Sequence, residues 1–367
     1  MIALNDFKAE PAALRDAELQ AVERVLRSGW YVLGPEVAAF EAGWAAACGT
    51  AHAVGVANGM DAIEIGLRAL GIGAGDEVIT TGMTAVATVL AIRRAGATPV
   101  LADIDPATAL LDRASVQRCL GPRTKALLLV HLYGQVRDLD GWDAWARDAG
   151  VLLLEDCAQA HLAAWNGRPA GSVGRFGACS FYPTKNLGAI GDAGAIVTGD
   201  ADLAERARVL RNYGQSTRYV HTVEGLNSRL DEIQAALLQV RQRWLAEFTL
   251  RRQAIAARYR AGIRNPRVGL LAAPAQPGSH VHHLFVVTTP GREALMAHLQ
   301  AHGVQSLIHY PVPVHQQVPY ASLARDPQGL SATERHAATC LSIPCHPQMA
   351  DADADRVIDA LNRYGEH

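Results

Sequence analysis

Lysine is almost missing from this sequence: Lys8, Lys125 and Lys185 are the only three among 367 residues, and 31 of its 34 basic residues are arginine. Arginine keeps its proton at ordinary pH, so a lysine retained in such a chain is a candidate nucleophile toward a carbonyl. Basic tracts are missing too, and the formal charge is −2, which excludes the electrostatic footprint of a nucleic-acid-binding protein. No apolar run reaches the length of a membrane-spanning helix. Met1–Lys8 lacks the charged and apolar regions of a signal peptide. The six cysteines (48, 119, 157, 179, 340 and 345) show no C-x-x-C spacing and read as small buried hydrophobes of a cytoplasmic protein.

What is present is a large core: 49% of residues are hydrophobic and 19% charged. The length suggests a large domain with a smaller one, and we expect the division at 1–245 and 246–367. From 50 to 200, short apolar runs alternate with helical periodicity. His52–Ala57, Glu77–Thr80, Pro99–Ile104, Ala126–Leu132, Val151–Glu155, Ala178–Tyr182 and Ala195–Thr198 read as strands. Helices are expected over about Met60–Leu70, Thr84–Ala95 and Arg137–Asp148. The strand runs are continuous rather than alternating, which predicts burial on both faces and a mostly parallel sheet in an α/β layer. Asp231 to about Ile263 reads as one long bridging helix, and Pro266–Ser279 as a linker. The remainder reads as β-α-β-like, with strands at His283–Thr289 and Gln305–His309 and helices at Arg292–His302 and Ala352–Tyr364.

Fourteen histidines raise the question of a metal. His280 and His282 would share one strand face next to His283, but no carboxylate or cysteine joins them at ligand spacing, and no metal is expected. Cys345-His346 is a weaker candidate still. Asp156 ends the run Val151–Glu155, and ligands of open α/β sheets bind beyond the carboxyl ends of strands. Lys185 follows the next strand, in a loop rich in glycine and polar groups. An amine and a carboxylate facing one crevice are what pyridoxal 5′-phosphate (PLP) needs, the lysine for a Schiff base and the acid for the pyridine nitrogen. An ordinary ion pair, or a surface lysine, fits the spacing as well. Asn58-Gly59-Met60-Asp61 joins a strand to a helix and offers free amides and a helix dipole to an anion; it also fits a plain capped turn. Ser180 could add a hydroxyl to the same phosphate.

The ordered motifs Gly29–Val37, Ala57–Ala62, Gly71–Ile79, Glu155–His161, Ser180–Asp192, Arg211–Gly214, Gly225–Glu232 and His309–Pro311 resemble those of the DegT/StrS-type sugar-nucleotide aminotransferases. The resemblance runs from about Asn5 to Asn362. It implies PLP fold type I, aspartate aminotransferase-like: a mostly parallel seven-stranded sheet in the large domain and a smaller α+β C-terminal domain. It also implies that Lys185 forms the Schiff base and shuttles the proton, that Asp156 pairs with the pyridinium, and that Gln159 sits against the ring or its 3′-oxygen. Gly59, Met60, Asp61 and Ser180 would surround the phosphate, with Asn227 reaching it from the other subunit of a homodimer. Tyr31, Arg229, His309 and Tyr310 match positions that line the sugar.

Lysine at 185, where some relatives carry histidine and dehydrate, implies transamination with glutamate as donor. The segment Asn186–Asp192 resembles enzymes that aminate C-3 rather than C-4 of a nucleotide-linked hexose. A dTDP-linked 3-keto-6-deoxyhexose is the expected substrate, a UDP-linked 3-keto sugar its nearest rival. C-4 amination, or a non-catalytic binding protein on the same fold, are the remaining alternatives. Two positions depart from the pattern: Ala85 stands where relatives carry an aromatic ring that stacks on the cofactor, and Ala193 replaces a glycine.

Overall fold

The computed structural model describes residues 1–365. Seven strands form the main sheet: β1 (His52–Val56), β2 (Glu77–Thr81), β3 (Thr98–Ala102), β4 (Thr124–Val130), β5 (Leu152–Asp156), β6 (Gly177–Ser180) and β7 (Gly194–Thr198). Their spatial order is β1-β7-β6-β5-β4-β2-β3. β2 to β6 pair in parallel, whereas β7 runs antiparallel to both β1 and β6. A two-residue strand from much later in the chain, Ala324–Arg325, adds in parallel to the outer edge of β3, so the expected seven strands become eight.

Both faces of this sheet are covered, which is why its strands are continuous apolar runs. Side chains alternate across a strand. Leu127 and Leu129 of β4 therefore enter one core with Phe40, Trp44, Trp142 and Phe181. Ala126 and Leu128 enter the opposite core with Ile65, Phe176 and Leu203. Burying each such leucine contributes about 1.5–3 kcal/mol relative to exposure. The layers are supplied by α1 (Ala12–Ser28), α2 (Pro35–Ala47), α3 (Gly59–Ala69), α4 (Val86–Arg94), α5 (Arg113–Cys119), α6 (Leu139–Ala149) and α7 (Ala201–Arg211). α3 is buried on nearly all sides because it lies between the sheet, α4 and α7. Gly66 lets it approach: a Cβ there would lie 2.5 Å from the Phe176 ring.

The expected long helix after Asp231 is two helices, α8 (Glu232–Gln242) and α9 (Leu245–Gly262). Neither glycine nor proline marks the break. The Arg243 and Trp244 amides instead bond to the carbonyls three residues back, closing α8 in a tighter turn, and Trp244 packs against Phe248 with ring centroids 5.7 Å apart. Beyond α9 a three-stranded antiparallel sheet forms from β8 (Gly269–Leu270), β9 (Phe285–Thr288) and β10 (Cys340–Ile343). With α10 (Arg292–Ala301), α11 (Ser331–Thr339) and α12 (Asp351–Asn362) in this half of the chain, α9, α10 and α12 pack with the sheet around Tyr259, Phe285, Leu299, Leu341 and Leu361. Gln305–His309 is not a strand. It touches β10 at a single bridge, Leu307 to Ser342, before Pro311 and Pro313 turn the chain away.

Candidate active site

Asp156, the last residue of β5, is buried at the centre of the sheet's carboxyl edge. β5 pairs with β6 so that Asp156 stands opposite Ala178, which brings the segment leading to Lys185 alongside it. The Thr88 hydroxyl donates to Asp156 Oδ2 at 2.8 Å, and the Ala158 amide to Oδ1 at 3.1 Å. Burial holds the Asp156 carboxyl above its ordinary range, against the opposing pull of those two donors and of Lys185. Its neighbour Glu155 faces the other way. Glu155 takes the His131 ring at 2.8 Å and the amides of Gly171, Val173 and Gly174 at 2.8–2.9 Å. Burial would raise the Glu155 carboxyl, but these donors outweigh it and keep it low. Cys157 lies close to this pair, yet both Glu155 oxygens are already committed to donors, so the trio is a structural buttress rather than a metal cradle.

Lys185 sits half-buried on the loop from β6 to β7, where its amide bonds to the Tyr182 carbonyl at 2.8 Å. Burial lowers its ammonium to about 8, and Asp156 pulls the other way. Three histidines feel the lysine's charge and are kept neutral by burial: His161, lowered to about 3; His309, lowered to about 4; and His283, well below its usual value. His283 thus belongs to the surroundings of Lys185, while the His280 and His282 rings stack on each other 3.8 Å apart and the His282 amide donates to His280 Nδ1.

A glycine-lined cradle forms where three strand ends meet. Asn58 caps α3, its Oδ1 accepting from the Asp61 amide at 2.8 Å. The Asp61 carboxylate lies 3.7 Å from Arg94. Gly59 and Met60, first in the helix, are left with amides that have no intrahelical acceptor. A Cβ on Gly59 would sit 2.5 Å from the Ser180 Cβ, and one on Gly194 would sit 2.4 Å from the Asn58 carbonyl. Glycine is what lets the α3 terminus, Ser180 and β7 close up. Ala193, beside Gly194, is fully buried and does not take a left-handed φ, so its extra methyl fits.

Gln159 turns its side chain across the site: Oε1 accepts from the Tyr133 amide at 2.6 Å, and Nε2 donates to the Tyr310 hydroxyl at 3.3 Å. Burial and the Asp156 charge push Tyr310 up to about 12, so it stays a neutral phenol. Tyr133 donates to the His309 carbonyl at 2.6 Å, and His309 Nδ1 lies 2.9 Å from the Ser342 hydroxyl. Gln159, His309 and Tyr310 are therefore brought together with Asp156 and Lys185. Tyr31, Asn227 and Arg229 form a second, outer group. Arg229 reaches Asn212 at 3.3 Å and lies over the Tyr213 ring. Asn227 bridges Asn212 through the backbone, and the Tyr31 carbonyl accepts from the Glu232 amide at 3.2 Å. The Asn227 and Tyr31 side chains are exposed. Thr84, Thr88, Tyr133 and His161 escaped the sequence reading; the i, i+4 spacing of the two threonines and the position of His161 at the end of Glu155–His161 were the available signals.

The donor set fits a phosphorylated pyridine aldehyde. Lys185 can lose a proton near neutral pH, a buried acid lies within range of its charge, and a glycine-built helix terminus presents free amides. The buried His161 Nε2 and Asn186 Oδ1 atoms have no hydrogen-bond partner among the described residues. A family model matches residues 12–362. The chain belongs to the DegT/DnrJ/EryC1/StrS aminotransferase family. It is 47% identical, over 98% of its length and 95% of the other's, to a dTDP-3-amino-3,4,6-trideoxy-alpha-D-glucose transaminase of Streptomyces venezuelae. It is 45% identical, over 94% of both, to a dTDP-3-amino-3,6-dideoxy-alpha-D-galactopyranose transaminase of Aneurinibacillus thermoaerophilus. The crystal structure of S. venezuelae DesV in complex with a ketimine intermediate superimposes with a TM-score of 0.96 at 46% identity, covering 100% of this chain and 99% of that one. This member of the family is an enzyme, a sugar aminotransferase of fold type I.

Proposed function

We propose that this aminotransferase moves an amino group from glutamate to C-3 of a dTDP-linked 3-keto-6-deoxyhexose, with PLP as cofactor, in deoxyamino-sugar biosynthesis. The observation that carries the reading is the convergence of Lys185, Asp156 and the Gly59 cradle at the carboxyl ends of β5, β6 and β1. Bound there, the cofactor would supply an aldehyde that accepts nitrogen and a ring that withdraws electrons from a breaking C–H bond. Lys185, with its ammonium near 8, can hold or release a proton at Nζ without a large barrier at neutral pH. Asp156 presents a carboxylate for a protonated ring nitrogen. Gln159, fixed by the Tyr133 amide and Tyr310, has an Nε2 hydrogen left to orient a ring substituent. The Gly59 and Met60 amides with Ser180 would hold the phosphate.

The C-3 and dTDP assignments are supported by the names of the two relatives and by the Asn186–Asp192 segment. Glutamate as donor rests on the family resemblance. A homodimer is supported by the exposed apolar residues Trp30, Tyr31, Val32, Tyr213, Tyr219 and Val220, gathered around the outer group. Six buried, unpaired cysteines fit a reducing compartment, so we place the enzyme in the cytoplasm; no helix of the described residues is long and apolar enough to cross a membrane.

The test is the visible absorption of the purified protein with PLP, before and after L-glutamate, followed by NMR of the product from a dTDP-linked 3-keto-6-deoxyhexose. A glutamate-dependent spectral change and a new amine on C-3 are expected. A spectrum that ignores glutamate, amination at C-4, or preference for a UDP-linked sugar would each overturn the corresponding part.

A further inference from the structure

Asp156 is held by two donors from different elements, the Thr88 hydroxyl and the Ala158 amide. A threonine hydroxyl has one proton, and the contact with a carboxylate uses it. The other neighbour of Thr88, the Thr84 hydroxyl at 2.8 Å, must then be the donor between them. The direction is fixed: Thr84 to Thr88 to Asp156. Both threonines are buried, so bulk water does not substitute for either bond. They lie four residues apart at the start of α4, with Ala85 as its cap, and the positive end of that helix adds to the same polarity.

We propose that Thr88, oriented by Thr84, is a positioning residue that keeps Asp156 ionised and aimed at the cofactor's ring nitrogen; this rests on the role of Asp156 given above. Asp156 needs such help. Among the described residues it makes no ion pair within 4 Å; Lys185 acts on it only at longer range. The other groups that face it do not replace the hydroxyl. His131, at the end of β4, favours the anion only through space, because its ring is bonded to Glu155 and not to Asp156. Tyr310, from the C-terminal half, is a neutral phenol. Cys157 and Cys179 are held as neutral thiols by burial and bring no positive charge to Asp156. A buried carboxylate stripped of a donor shifts toward its neutral acid, and a neutral acid cannot keep the ring nitrogen protonated. Removing the hydroxyl therefore raises the pH at which Asp156 becomes an anion, and the acid limb of activity moves up with it.

The experiment compares the parent with Thr88→Val, Thr88→Ser and Thr84→Val. It reads the Kd for PLP by absorbance titration, the pH dependence of the bound cofactor's spectrum, and the acid limb of kcat/KM. Thr88→Val preserves shape and removes the hydroxyl. It should bind PLP roughly tenfold more weakly, the scale of a hydrogen bond to a charged group, with both pH transitions about one unit higher. Thr88→Ser should restore the parent values, and Thr84→Val should move them the same way by less. Parent-like behaviour of Thr88→Val, or a Thr88→Ser as impaired as the valine variant, overturns the proposal. If circular dichroism shows Thr88→Val unfolded, Thr84→Val decides, and an unshifted acid limb in it overturns the proposal. A parent that takes no PLP removes the reading of Asp156 and this proposal with it, whereas a PLP-binding parent with an indifferent Thr88→Val sinks Thr88 alone.

Discussion

At the scale of single residues, the proposed chemistry turns on one lysine that burial has made easy to deprotonate. Lys185 titrates near 8 in the folded chain, against 10.5 for an ordinary lysine. Between those values the unfolded chain still holds a proton that the folded chain has lost, so stability rises with pH across that window. In protein freed of PLP, Lys185→Met should flatten this rise, measured by urea unfolding from pH 7 to 10, and should abolish transamination. An equally steep profile in the variant would show that the lysine is not the cause. Ala85 invites the opposite kind of change. It caps α4 one turn before Thr88, at the position where the family resemblance implies a stacking ring. Ala85→Tyr should tighten PLP retention by about 1 kcal/mol, the value of an aromatic pair, seen as slower loss on dialysis. Unchanged or faster loss would mean that another side chain already fills the gap. Lys185 and Asp156 were legible because lysine is so scarce in this chain and because both lie in motifs that carry the family resemblance; their spacing alone fitted an ion pair as well. Thr84, Thr88 and His283 were not, since their roles depend on which helix or strand lies against which, and no local pattern carries that.

At the scale of elements, the site is made by close approach of strand ends. Gly59 opens α3 against Ser180 with no room for a methyl. Gly59→Ala should push α3 from β6 at a cost of about 1–3 kcal/mol and weaken PLP binding more than it lowers Tm, because the two free amides at the helix start move with it. Melting and PLP titration on the same protein check this; a lowered Tm with an unchanged Kd would place the phosphate elsewhere. The seven strands could be read from sequence because burial on both faces writes continuous apolar runs such as Ala126–Val130. Strand direction could not: β7 looks like its neighbours yet runs antiparallel. The break between α8 and α9 left no trace either, because it is made by backbone bonding at Arg243 and Trp244 and by the packing of Trp244, not by a helix-breaking residue. Gln305–His309 had the composition of a strand and lost that structure to the prolines after it.

At the scale of the whole molecule, one chain brings together only part of the expected site. Lys185, Asp156, Gln159, His309 and Tyr310 converge, whereas Asn227 is exposed among apolar side chains that a lone subunit leaves to solvent, Tyr219 being 78% exposed. Patches of that kind mark interfaces, and a two-fold contact would present the same patch on both subunits. If Asn227 of one subunit completes the phosphate site of the other, two dead variants should rescue each other. Lys185→Ala lacks the amine but keeps Asn227, and Asn227→Ala has the converse defect. Random exchange makes half of the dimers mixed, and each mixed dimer has one site with both groups intact, so about a quarter of the parent activity should return on mixing equal amounts. If Asn227 served its own subunit, every site in the mixture would lack exactly one group, and activity would stay at the level of the separate variants. Light scattering of the parent at twice its 39.2 kDa chain mass is the companion measurement. A monomer that turns over substrate would rule out a shared site altogether.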